Sequence, residues 1–193
     1  RGFEEELLKY DIPYVVVGGV RFYDRAEIKD ILSYLRLLVN PRDDQALRRI
    51  VNKPVRGIGK ASFEKVESLA IERGLPLLEA MREAVEGQLV GRTSGKLAAF
   101  LEMMDSFASA PEGGLALGGT LDGLPLDDMI ARVMDATGYI RALEKEDTPE
   151  SETRLDNLRE LLSSARDFHV VNEDELAGEE RSELELYLDQ VAL

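Results

Sequence analysis

The stretch NKPVRGIGKAS, Asn52 to Ser62, sets three cations and no carboxylate around two glycines, in a chain whose formal net charge is −14. Widened to Arg48–Lys60, the segment carries Arg48, Arg49, Lys53, Arg56 and Lys60, still without an acid. Both flanks read as helices, so the pattern is helix, Gly-x-Gly turn, helix. A turn of this kind brings backbone N–H groups to a helix N-terminus, and bare Gly57 and Gly59 let a phosphate come close. Ile58, between them, is placed to plug the core and fix the turn. Lys53, Arg56, Gly57, Ile58, Gly59, Lys60 and Ser62 are therefore the candidate phosphate-binding set. The same spacing suits a plain αα turn whose cations only keep it soluble, and the residues alone leave both readings open.

Other chemistries find less support. The chain has no cysteine and one histidine, which leaves no thiolate metal site and little material for a histidine cluster. His169 reads as a helix-end or loop residue. GGLALGGT, Gly113 to Thr120, has the outline of a P-loop but puts Gly119 where the phosphate-binding lysine belongs. GIGKAS follows a helical segment rather than a strand and has Ser62 in place of the third glycine of a dinucleotide fingerprint. The carboxylate pairs Asp43–Asp44 and Asp127–Asp128 fit helix first turns, where negative charge complements the macrodipole.

The elements that position the basic turn are mostly helical. Ile28, Ile31, Leu32 and Leu35 recur at helical spacing, and NPRDD breaks that run. Phe63, Val66 and Ala70 share a face of the helix after the turn, which Gly74 and Pro76 end. LPLLEAMREAV, GKLAAFLEMMDSFAS (stripe Leu97, Phe100, Leu101, Met104, Ala108) and PLDDMIARVMDATGY, with Gly138 as its stop, predict further helices. So do ETRLDNLRELLSSARDF, with Leu158, Leu161, Leu162 and Ala165, and LELYLDQVAL, with Leu184, Tyr187, Leu188 and Val191. Val15–Val17 is the one convincing strand, closed by Gly18 and Gly19. APEGGLALGGTLDG, Ala110 to Gly123, reads as a Gly-rich connector and VNEDELAGEERSE as an acidic loop.

At 193 residues the chain is long enough to bury roughly 70% of its unfolded surface. No apolar run approaches the ~20 residues of a membrane-spanning helix, and the lack of cysteine suits a cytoplasmic setting. The sequence opens on RGFEEELLKY, which reads as the middle of a helical element and so as part of something larger. With 38 acidic against 24 basic side chains, most of the surface repels a phosphate backbone, so any nucleic-acid contact must be local.

Several segments, in order, match a known family. The basic turn resembles the helix-hairpin-helix device, which grips the DNA backbone without reading bases. IPYVVVGGVRFYDRAEIKDILSYLRLLVNPRDD and RIVNKPVRGIG closely resemble superfamily 1 DNA helicases of the UvrD, PcrA and Rep type, and the likeness continues through GLPLLEAM, ATGY and ETRLDNLRELL. In that family 2B is a subdomain inserted into the second RecA-like motor domain, 2A. The resemblance implies that residues 1–18 are a remnant of 2A and 19–193 a mainly α, multi-helix 2B accessory subdomain with at most one short N-terminal strand. It implies a duplex-DNA-binding regulatory arm of an ATP-dependent 3′ to 5′ helicase, contacting DNA through Arg56, Gly57, Ile58, Gly59 and Lys60. Lys53 and Ser62 are added by the charge argument.

Arg21, Arg25 and Lys29, in GGVRFYDRAEIKD, either touch DNA or stabilise the 2A to 2B junction, and capping or ion-pair roles fit equally. No cofactor is expected in this segment, which lacks Walker motifs and should not hydrolyse ATP; ATP and Mg belong to the parent helicase. The expected partners are duplex DNA, the 1A, 2A and 1B domains and DNA-repair proteins. The rival reading is a protein-interaction and autoinhibitory module docking on the motor domains or a repair partner.

Overall fold

The computed structural model describes residues 22–108, 124–176 and 181–192. The expected strand at Val15–Val17, the Gly18/Gly19 boundary, Arg21 and the Gly-rich connector lie outside the described residues. Among the described residues the chain forms nine α-helices and no strand, as the helical periodicities predict. These are α1 (Ala26–Val39), α2 (Asp44–Ile50), α3 (Lys60–Arg73), α4 (Leu77–Glu86), α5 (Ser94–Ala108), α6 (Leu126–Ala136), α7 (Tyr139–Glu146), α8 (Pro149–Leu176) and α9 (Glu183–Ala192). Short 3-10 turns at Phe22–Asp24 and Gly91–Thr93 precede α1 and α5. No helix among the described residues is long and apolar enough to cross a membrane.

The organising element is α1. Ile28, Ile31, Leu32, Tyr34, Leu35, Leu37 and Leu38 are buried around much of its circumference, so helices must cover it on several sides. It packs on α2, α6, α8 and α9. The predicted stripes of the other helices supply the opposing surface: Leu97, Phe100, Leu101 and Met104 of α5, Leu158, Leu161 and Ala165 of α8, and Leu184, Tyr187 and Leu188 of α9 are buried.

Burying α1 also buries Glu27 and Asp30, and each needs partners, because an unpaired buried carboxylate is far costlier than a solvated one. Asn157 of α8 supplies them for Glu27: its Nδ2 donates to Glu27 Oε1 at 2.5 Å, while its Oδ1 accepts from Arg25. Asp30 accepts from the Tyr139 hydroxyl at 2.7 Å and pairs with Arg49 at 2.7 Å. Burial and the Asp30 carboxylate push the Tyr139 phenol well above its ordinary pKa. Arg25 also lies 5.2 Å from the centre of the Phe22 ring, and Lys29 pairs with Asp24 at 2.8 Å. At the entry to α1, Arg25 is thus held by Asn157 and the Phe22 ring, and Lys29 by Asp24.

The aspartate pairs act at helix ends. Asp43 Oδ1 accepts from the Ala46 amide at 2.9 Å as the N-cap of α2, while Asp44 reaches across to the Leu77 amide at 2.8 Å and caps α4. Asp127 holds Arg166 at 2.7 Å.

Two boundaries differ from expectation. Gly138, in the left-handed region at φ 72°, ends α6 as predicted but also opens α7, a separate helix that ATGY did not reveal. The acidic segment expected to be a loop is helical through Leu176, and His169 falls inside α8 rather than at its end. The reason is local: NEDEL contains no glycine or proline to break the helix.

Asn157→Ala strands the buried Glu27 carboxylate and frees Arg25. Urea unfolding followed by circular dichroism should show about 1–3 kcal/mol lost, with the native helical signal intact in the absence of urea.

Candidate nucleic-acid interface

The basic turn joins α2 to α3 and is built by three side chains that the sequence does not single out together. Asn52 Oδ1 accepts from the backbone amides of Arg56 at 2.8 Å and Ile58 at 3.2 Å, folding the loop back on itself. Tyr34, buried in α1, donates its hydroxyl to the Lys53 carbonyl at 2.5 Å, with the Ile50 carbonyl at 3.3 Å. Burial pushes the Tyr34 phenol up to about 12 despite the nearby Arg56 cation. Ile58 inserts into the core at 5% exposure, as its place between the glycines predicts.

The third side chain is Arg56, whose guanidinium faces inward. One terminal nitrogen donates to the carbonyls of Lys53 at 2.7 Å, Ile50 at 3.2 Å and Pro54 at 3.4 Å. The other donates to the Thr137 carbonyl at 3.3 Å, with Met103 Sδ at 3.6 Å. The group also lies against the rings of Phe100 and Tyr34, at 5.4 and 5.8 Å from their centres. Ile50 is the last residue of α2 and Thr137 is the C-cap of α6. Arg56 thus sets a cation at two helix C-termini, where the macrodipoles favour positive charge.

The remaining cations of Arg48–Lys60 divide in the same way. Arg48 pairs with Glu67 at 2.7 Å, and Arg49 with the buried Asp30. Lys53 and Lys60 face outward; Lys60, 90% exposed, has only a loose contact with Glu64 at 3.7 Å.

The glycines have different roles. Gly57 adopts φ +70°, a conformation that L side chains rarely take, and its carbonyl accepts from Lys96 Nζ at 2.8 Å. Gly59, the N-cap of α3, has φ −74° and ψ 149°, open to any residue, and a Cβ built there would meet nothing within 4 Å. Its carbonyl accepts from the Ser62 and Phe63 amides. The Gly59, Lys60 and Ala61 amides have no hydrogen-bond partner among the described residues. The Ser62 hydroxyl lies 2.8 Å from that of Thr93, at the start of α5.

The turn therefore keeps exposed Gly57, Gly59 and Lys60 together with Lys53, turns Arg56 and Ile58 inward, and ties Ser62 to a neighbouring turn. Sequence reasoning missed the second source of charge here, Arg92 and Lys96. Its signal was present: no acid occurs from Gly87 to Leu101, and GRTSGK separates two helices as RGIGK does. No cluster of His, Cys, Asp or Glu suited to a metal occurs among the described residues.

Residues 1–89, which include the turn, match the family described as UvrD-like helicase C-terminal domain. The chain is 37% identical over 168 residues to the ATP-dependent DNA helicase PcrA of Staphylococcus aureus strain Mu50, covering 87% of this chain and 22% of the relative. It is 40% identical over 176 residues to DNA helicase II of Escherichia coli strain K12, covering 91% and 23%. The PcrA helicase of Staphylococcus epidermidis is 36% identical over 168 residues, covering 87% and 22%. The chain thus spans about a fifth of the length of these relatives.

If Arg56 is the keystone of the turn, Arg56→Ala should cost about 2–3 kcal/mol in denaturant unfolding. Arg56→Lys should recover little of it, since one ammonium cannot reach carbonyls on both sides of a planar fork.

Proposed function

We propose that this chain is the helical 2B subdomain of a UvrD/PcrA-type DNA helicase, with a remnant of 2A at residues 1–18, and that it touches duplex DNA through the turn at Gly57–Gly59. The observation that carries the reading is Gly59. Nothing in the fold requires a glycine there: its backbone angles suit any residue and the space beside it is empty. The empty space adjoins three unpartnered amides at the N-terminus of α3 and the exposed cations Lys53 and Lys60. Bare backbone, free N–H donors and positive charge together are what a phosphodiester oxygen requires.

The contact runs through the Gly59–Ala61 amides, Lys53 and Lys60, with Gly57 and Ile58 shaping the turn and Arg56 holding it from behind. A footprint of roughly two to four phosphates gives a log–log salt slope of about −2 to −4, and non-specific affinity near the weak end of ~10⁻⁴ to 10⁻⁶ M. The surrounding negative charge keeps that grip weak, which suits an arm that must release the duplex as a motor advances. ATP and Mg act in the motor domains of the parent helicase, where this subdomain swivels and sets the active or self-inhibited state. The parent works in the cytoplasm, with DNA-repair proteins among its partners.

Anisotropy of a labelled hairpin duplex tests the reading. Gly59→Ala should leave unfolding stability within about 0.5 kcal/mol of wild type and weaken binding several-fold, whereas Gly57→Ala should cost about 1–2 kcal/mol of stability from its left-handed φ. Lys53→Glu with Lys60→Glu should abolish measurable binding. Equal binding by that folded double variant would hand the role to protein docking on the motor domains or a repair partner.

A further inference from the structure

The inward turning of Arg56 leaves the first glycine turn with fewer outward cations than its sequence displays. The fold brings others to the same place from about 35 residues further along the chain. The Ser62 and Thr93 hydroxyls, 2.8 Å apart, hold the leading turn of α3 beside the 3-10 turn that opens α5. Lys96, in the first turn of α5, extends its Nζ to the Gly57 carbonyl at 2.8 Å. Arg92, in the 3-10 turn, and Lys96 are both exposed, and neither has a carboxylate partner among the described residues.

We propose that the second glycine turn, Gly91–Lys96, is a second prong of the DNA contact, with Arg92 and Lys96 binding phosphates of the duplex beside those held by Lys60 and the Gly59–Ala61 amides. The inference rests on the DNA-contact reading of the first turn and enlarges its footprint.

Charge and geometry carry it. The one hydrogen bond of Lys96 among the described residues goes to a neutral carbonyl in solvent, and a phosphate oxyanion offers the same ammonium a full opposite charge. Its four-carbon stem lets the ammonium leave Gly57 for a phosphate without moving the backbone. Arg92 carries a planar fork that fits a phosphate bidentately, and among the described residues it makes no bond that would have to break first. The acid paired nearby is Glu64, which faces Lys60 at 3.7 Å; the segment Gly87–Leu101 contributes none. A Cβ at Gly95 would meet nothing within 4 Å, so this second turn also has an open approach.

The test is the salt dependence of hairpin-duplex binding by the 193-residue chain, measured by anisotropy for wild type, Arg92→Ala, Lys96→Ala and the double variant. Lys145→Ala, on α7, serves as a charge control. Each single variant should weaken binding several-fold and lower the magnitude of the log–log slope by about 0.9, the double variant by about twice that, and the control by nothing. Because Arg92 has no partner among the described residues, its variant reports on DNA even if Lys96→Ala relaxes the Gly57 turn. The inference is overturned if the Arg92 and Lys96 variants keep the wild-type slope while Lys53→Glu with Lys60→Glu abolishes binding; the first turn then acts alone. Absence of salt-dependent binding by wild type overturns both readings at once.

Discussion

The turn between α2 and α3 depends on one half-buried cation, Arg56. Arg56 gathers the carbonyls of Ile50, Lys53 and Pro54 on one side and of Thr137 on the other, and so joins the C-terminal ends of α2 and α6 through a single guanidinium. A planar group with five donors can satisfy several carbonyls at once. Tyr34 and Phe100 flank it from α1 and α5. Four helices are thereby registered to one loop, and the amides ahead of α3 are held outward because everything behind them is tied down.

This arrangement separates two functions that share one short stretch of sequence. Arg48, Arg49 and Arg56 are consumed by Glu67, Asp30 and backbone carbonyls and serve the fold. Lys53 and Lys60 remain for an external anion. The division follows residue type: the three arginines take partners within the fold, Arg56 several at once through its forked donors, and the two lysines face solvent. In a chain carrying −14 overall, a few uncommitted cations suffice to define one attractive patch against a repulsive background.

Most of the helices were legible in the sequence because their apolar stripes must face a core. The stripes of α1, α5, α8 and α9 name residues that are buried or, at Leu162 and Val191, half-buried, and the break at NPRDD and the stop at Gly138 fall where expected. The turn was legible too, since two glycines one residue apart interrupt the helical period between apolar stripes on either side. What the linear pattern could not show is the direction of each side chain. Arg56 reads like Lys60 in sequence, yet one faces Thr137 and the other water. Nor could spacing reveal that Lys96 reaches Gly57, because that proximity is made by the packing of α4 and α5. The start of the acidic segment expected to be a loop, Val171 to Leu176, is helical because polarity alone does not break a helix.

The central claim is that the free amides at the start of α3 receive a DNA phosphate while Arg56 stays within the protein. Amide NMR shifts recorded as a hairpin duplex is titrated into the chain address it most directly. The account predicts the largest shifts at Gly59, Lys60 and Ala61, with the Arg56 side-chain signal unmoved. Largest shifts on another helix face, or an Arg56 guanidinium that responds while those amides stay still, would contradict it.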